Sequence, residues 1–243
     1  MKNFKSGLQY ISQRENKLNT IKDIILTGDT GCTGFDKECK ETLEKILTTK
    51  TDLFFILGDL VKEGSKEEFN KLIDFCDKLV TVPIFSLCGN HDMPDYEKAL
   101  GFNHYAIILE NFTIISLDNS TAPFSTENLD FLKNTLEKYN DKKTFVFFHV
   151  PPPTDLSPGC MQKKEWESLK NILDKHKQRI EYIFVGHIHG FQDYHIDGYH
   201  VIITGGGGAK LSKPEKDTLC SHHAIKLNLE NPDSISFEII LLN

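Results

Sequence analysis

Nearly unbroken apolar runs alternate along this chain with charged stretches of a longer period. The runs at 24–28 (IILTG), 53–59 (LFFILGD) and 83–90 (PIFSLCGN) have strand length, and each reaches a glycine followed by Asp or Asn. Between them, 37–49 and 66–79 place apolar residues three and four apart among charges, the pattern of helices that bury one face. The order predicts a βαβαβ unit with a parallel sheet. After it, 104–110 and 112–118 flank Asn111 closely enough to form a hairpin, so antiparallel strands join and the sheet system is mixed. A helix at 126–139, a strand at 144–150, a helix at 163–176 and a strand at 182–187 follow. Two late hairpins close the pattern, one turning at Asp197-Gly198 and one near Asn231-Pro232. The polar, aperiodic residues 1–20 are expected to form a loose arm or a short surface helix ahead of one domain spanning 21–243.

Composition narrows the classes. A chain of 243 residues buries a sizeable core as one large α/β domain. Its formal net charge of −7 argues against a general electrostatic grip on nucleic acid and favours small phosphorylated substrates. No apolar run approaches the ~20 residues needed to cross a bilayer, and the N-terminal stretch lacks a signal-peptide core, so a cytoplasmic protein is expected. Six scattered cysteines without a CxxC pair read as reduced, half-buried core residues.

The chemistry lies at the strand ends. Asp29, Asp59, Asn90, His149 and His187 each sit at or just past the end of a predicted strand, where ligands of open α/β sheets bind. His189, two residues beyond His187, can face the same cluster. Carboxylates, an amide oxygen and imidazoles together suit first-row ions such as Mn, Fe or Zn, with Ni possible, better than a thiolate site would. Two ions sharing one carboxylate would supply both an activated water and a clamp on phosphoryl oxygens. Taken singly, Asp29 and Asp59 read equally well as helix N-caps, and His187 with His189 as a solvated pair on one strand face.

The ordered set Gly28-Asp29, Gly58-Asp59, Gly89-Asn90-His91-Asp92, His149 and Gly186-His187-Ile188-His189 resembles the signature of the calcineurin-like metallophosphoesterases. The resemblance implies a four-layer α/β/β/α sandwich with two mixed β-sheets. It implies that Asp59 bridges two divalent or trivalent transition-metal ions, that Asn90, His149 and His187 complete one, and that Asp29 with His189 holds the other. His91 would stabilise charge at the phosphate or protonate the leaving oxygen, with Asp92 orienting its ring. Hydrolysis of a phosphomonoester or phosphodiester by metal-activated water is the implied activity.

One position departs from the pattern. The family's usual Asp-x-His reads Asp29-Thr30-Gly31 here, and the tyrosine that compensates in purple acid phosphatases is Lys62. The favoured reading leaves the first ion to Asp29, Asp59, His189 and water. The alternatives are a thiolate from Cys32, or a mononuclear or degenerate site. Two rival functions stand beside hydrolysis of small substrates: a nuclease acting on DNA or RNA, disfavoured by the acidic charge, and a non-catalytic scaffold, disfavoured by retention of the histidines. The Gly205–Gly208 run lacks the P-loop spacing and is expected to let backbone pass close to the cluster.

Overall fold

The computed structural model describes residues 6–18, 21–154, 159–212 and 218–242. Parts of the expected N-terminal arm (1–5 and 19–20) and of the loop 151–161 (155–158) lie outside the described residues.

The apolar runs become the strands that the pattern predicts. β3 (Asp23–Thr27), β4 (Leu53–Ile56) and β5 (Pro83–Ser86) pair in parallel, and the amphipathic stretches between them form α1 (Lys37–Leu47) and α2 (Lys66–Leu79). Asp36 and Ser65 cap these helices by accepting from Cys39 N and Glu68 N. Asp29 and Asp59 therefore cap neither helix, which removes the simplest structural reason for them. β12 (His223–Asn228) and β13 (Ser236–Leu241) extend this sheet antiparallel beyond β3.

The second sheet is also mixed. β6 (Tyr105–Ile108) and β7 (Phe112–Ser116) make the predicted hairpin, and β7, β8 (Lys143–Phe147) and β9 (Ile180–Val185) run parallel. β10 (Phe191–Ile196) and β11 (Tyr199–Thr204) form the hairpin at Asp197-Gly198, both of which have positive φ as a tight primed turn requires.

The segment expected as a loose arm instead contributes β1 (Gly7–Leu8), parallel to β5, and β2 (Glu15–Lys17), parallel to β6. The final orders are β1-β5-β4-β3-β12-β13 and β10-β11-β9-β8-β7-β6-β2. Strands of two and three residues gain their order from a neighbour's backbone, so their sequence shows no period.

Three apolar clusters define four layers. Leu26, Phe55 and Phe85 of one sheet meet Phe145, Phe147 and Phe184 of the other. Leu43, Ile46, Phe69 and Leu72 fill the space under α1 and α2. Leu132 of α4 (Thr126–Lys138) and Trp166 and Leu169 of α5 (Lys163–Leu173) cover the far face of the second sheet. The result is the α/β/β/α sandwich, and the C-terminal ends of β3, β4, β5, β8 and β9 open onto one rim. No disulfide forms among the described residues, and Cys32, Cys39, Cys76 and Cys88 are buried. Among the described residues no helix is long and apolar enough to cross a membrane.

Candidate metal centre

The rim gathers every residue read from the sequence as a ligand. Asp29, Asp59 and His187 do so in left-handed backbone, with φ of 59°, 54° and 70°. Non-glycine residues rarely adopt that region, and each instance costs on the order of 1–3 kcal/mol, so three beside one another mark a site held by its surroundings. Backbone bonds fix these bends: Asp29 N donates to Gly58 O (3.0 Å), Ala209 N to Asp29 O (2.8 Å), and His187 N to Asp29 Oδ2 (2.9 Å).

Two ligand groups result, and Asp59 belongs to both. One holds Asp59, His149 and His187; the other holds Asp29, Cys32, Asp59 and His189; within each, the donor atoms lie within 4.8 Å of one another. Asn90 completes the first, its Oδ1 lying 2.9 Å from His187 Nδ1 and 3.1 Å from His149 Nε2. The two ring nitrogens are 3.3 Å apart, and His149 Nε2 is 3.3 Å from Asp59 Oδ1. His149 Nδ1 donates to Leu57 O (2.8 Å), and His189 Nδ1 donates to Lys210 O (2.6 Å). A carbonyl only accepts, so each of these rings carries its hydrogen on Nδ1 and turns Nε2 inward.

With the His149 and His187 rings neutral and Nε2 of His149 unprotonated, oxygen and nitrogen lone pairs would converge within about 3 Å, a donor set that suits a cation between them. Asp29 points the same way. Its carboxylate is fully buried, Oδ2 accepts from His187 N, and among the described residues no hydrogen bond reaches Oδ1, which lies 3.5 Å from His189 Nε2. A buried carboxylate oxygen left unbonded is costly unless a positive charge meets it. The residues present therefore fit two metal ions sharing Asp59.

Asp92 corrects the sequence reading. Its carboxylate is taken up by backbone amides and not by the His91 ring: Oδ1 accepts from Leu60 N (2.8 Å) and Val61 N (3.1 Å), and Oδ2 from Gly89 N (2.8 Å). The carboxylate clamps the loop that carries Asp59 to the loop that carries Asn90. His91 is instead oriented by its Nδ1, which donates to Lys62 O (2.9 Å), while its backbone N–H donates to Asp59 Oδ1 (2.9 Å). The residue is exposed, and the bond at Nδ1 leaves Nε2 as the ring's other nitrogen. No sequence pattern marks Lys62 for this, because a backbone carbonyl does the work.

The glycines explain what stands where. A Cβ on Gly205 would come within 2.6 Å of Asp29 Oδ2, so the glycine run does let backbone pass against the cluster. A Cβ on Gly31 would lie 2.0 Å from Leu60 O and 2.8 Å from Leu60 C, backbone atoms that cannot swing aside. The histidine absent from the first motif is thus excluded by packing. Gly31→Ala should lower unfolding stability by about 1–3 kcal/mol or more in urea titrations. Unchanged stability would show that this loop yields freely.

Charge inside the cluster is strongly coupled. Burial opposes ionisation of both His149 and Asp59, yet their mutual attraction outweighs it, lifting His149 to about 9 and holding Asp59 at about 2. Burial and the His149 charge push His187 down to about 4. A histidine raised above its unfolded value of ~6.5 adds stability in full below that pH and loses it as pH climbs through the folded value. Burial raises Asp29 and Asp92, which acts in the same direction. Chelator-treated protein should therefore lose up to roughly 3 kcal/mol between pH 6.5 and 9 from the histidine alone, read as a falling melting temperature. A melting temperature that rises across that window would contradict the pairing.

Comparisons agree with this architecture. A family model described as calcineurin-like phosphoesterase matches residues 22–191. "Probable glycerophosphodiester phosphodiesterase GpdQ" of Arcobacter nitrofigilis is 32% identical over 161 residues, covering 59% of this chain and 58% of that protein. "Probable cyclic nucleotide phosphodiesterase XBJ1_0953" of Xenorhabdus bovienii is 23% identical over 66% of this chain and 70% of that protein. Purple acid phosphatase PPD1 from yellow lupin (Lupinus luteus) superposes with a TM-score of 0.72 at 14% identity, over 91% of this chain and 52% of that one. A dimetal phosphatase from Danio rerio superposes with a TM-score of 0.68 at 14% identity, over 91% of this chain and 96% of that one. These superpositions are likenesses of fold. The match spans less than two thirds of the first curated relative, at 58% of its length.

Proposed function

Since the chain belongs to the calcineurin-like phosphoesterase family, we propose that it hydrolyses phosphoesters of small substrates, phosphodiesters first among them, with two metal ions held by Asp29, Asp59, Asn90, His149, His187 and His189. The observation that carries this reading is the convergence of Asp59 Oδ1, Asn90 Oδ1, His149 Nε2 and His187 Nδ1 beside the unbonded Oδ1 of buried Asp29. Bound there, the ions would activate water for attack on phosphorus and offset negative charge on the phosphoryl oxygens.

The chain's own groups supply the rest. Asp59 holds the two halves together, and its neighbour His91 presents Nε2 to the oxygen that departs, either donating a proton or stabilising its charge. Asp92 keeps the loops of Asp59 and Asn90 in register through its three backbone bonds. Gly159, whose Cβ position lies 3.5 Å from His187 Nε2, also lines a cavity of about 630 Å³ with Phe124, Val150, Met161 and Glu165. That space suits the organic part of a small ester, with apolar walls interrupted by Gln162, Lys164, Glu165 and Ser168. Two relatives are named for glycerophosphodiesters and cyclic nucleotides, which supports a small diester as the substrate. Mn, Fe or Zn fits the donor set, and a cytoplasmic setting is in keeping with cysteines that form no disulfide among the described residues.

Aryl phosphate mono- and diesters, assayed with added Mn, Fe, Zn or Ni, test the activity directly. Metal-dependent turnover, faster on the diester, is expected. No turnover with any ion would leave the scaffold reading standing. A salt-sensitive gel shift with labelled DNA, which the charge of −7 argues against, would instead favour a nuclease.

A further inference from the structure

Gly31 cannot carry the imidazole usual at its place, because Leu60 O would sit 2.0 Å from its Cβ. The next residue turns into the site instead. Cys32 is 4% exposed, and its Sγ lies 3.3 Å from His189 Nε2. It shares one ligand group with Asp29, Asp59 and His189. The loop that bears it is fixed at three points: Gly31 N donates to Asp59 O (3.0 Å), Gly34 N to Gly31 O (2.8 Å), and Lys210 N to Thr33 Oγ1 (3.0 Å). Lys210 also accepts from His189 Nδ1 (2.6 Å), so one residue's backbone sets both the thiol loop and the imidazole that faces it. Independently of the cysteine, the buried Asp29 Oδ1 in the same group has no hydrogen bond among the described residues.

Building on the two-metal reading, we propose that Cys32 is a direct ligand of the second ion, its thiolate taking the coordination place that histidine fills elsewhere. As the metal–sulfur bond forms, the thiol proton leaves to solvent, so uptake of this ion releases a proton. A thiolate beside two carboxylates and an imidazole favours zinc or iron over manganese at that half of the centre. The Asn90, His149 and His187 half, which has no sulfur, keeps its oxygen and nitrogen character.

Full-length protein stripped with chelator and reloaded with zinc, then with cobalt, decides the matter. X-ray absorption of the zinc form should show a sulfur scatterer at about 2.3 Å beside nitrogen and oxygen at about 2.0–2.2 Å. The cobalt form should show a near-ultraviolet sulfur-to-metal charge-transfer band. Outer partners of a ligand are worth roughly ten- to a hundredfold in metal affinity, so Cys32→Ser should weaken one of the two ions by at least that and abolish both sulfur signals. Cys76→Ser, a buried thiol of α2, should leave them intact. Two zinc ions with only nitrogen and oxygen scatterers would overturn the assignment while leaving the dinuclear reading in place. Uptake of one ion or none by the wild-type chain would overturn both. The wild-type spectra decide even where Cys32→Ser fails to fold.

Discussion

Asp59→Asn should empty both halves of the centre at once and reduce turnover by about a thousandfold or more, equivalent to ~4 kcal/mol of barrier. Asp59 is the residue common to the two ligand groups, so removing its charge weakens both together. Asparagine is the informative replacement because it tolerates the φ of 54° at this position. Either replacement removes the counter-charge to buried His149, and breaking a buried ion pair costs about 3–5 kcal/mol of stability, but alanine would add backbone strain to that loss. Elemental analysis should find fewer than one ion per chain in the asparagine variant, with circular dichroism unchanged. Retention of two ions would mean that the halves are held separately and that Asp59 does not bridge them.

His91→Ala should behave in the opposite way, keeping both ions while kcat falls roughly a hundred- to a thousandfold, or about 3–4 kcal/mol. The His91 side chain is exposed and enters neither ligand group, and the bond that it gives to Asp59 comes from its backbone N–H, which alanine retains. Stability should therefore change by less than ~0.5 kcal/mol. Steady-state kinetics on an aryl diester, paired with metal analysis of the same sample, separates the two variants. His91→Ala with wild-type kcat would remove this residue from the chemistry.

The contrast between these variants shows which parts of the site can be read from a sequence. Asp29, Asp59, Asn90, His149 and His187 were legible because each follows an apolar run, and parallel strands deliver their ends to one rim. Apolar runs and helices whose apolar positions recur at three and four pointed only to a mixed α/β fold, and the four-layer sandwich was implied by the resemblance that the ordered motifs carry. What escaped depends on backbone rather than on side-chain type. Asp92 follows His91 directly, yet its carboxylate turns to the amides of Leu60, Val61 and Gly89. The orienting partner of His91 is the Lys62 carbonyl, which any residue would supply. Cys32 was visible as a nearby thiol, but only the Leu60 carbonyl against Gly31 explains why the loop offers sulfur in place of imidazole. Strands β1 and β2, with sequences Gly-Leu and Glu-Asn-Lys, are too short for any period to show. The five-residue helix α3 (Tyr96–Leu100) escaped for the same reason.

The left-handed bends at Asp29, Asp59 and His187 bear on how the protein would trade one metal for another. Because amide bonds to Gly58 O, Asp29 O and Asp29 Oδ2 hold those bends, the seat would keep its shape whichever ion arrived. Exchange would then need no refolding step, and the identity of a bound ion would follow the cell's supply and the softness of the donors rather than any moulding of the chain around its guest.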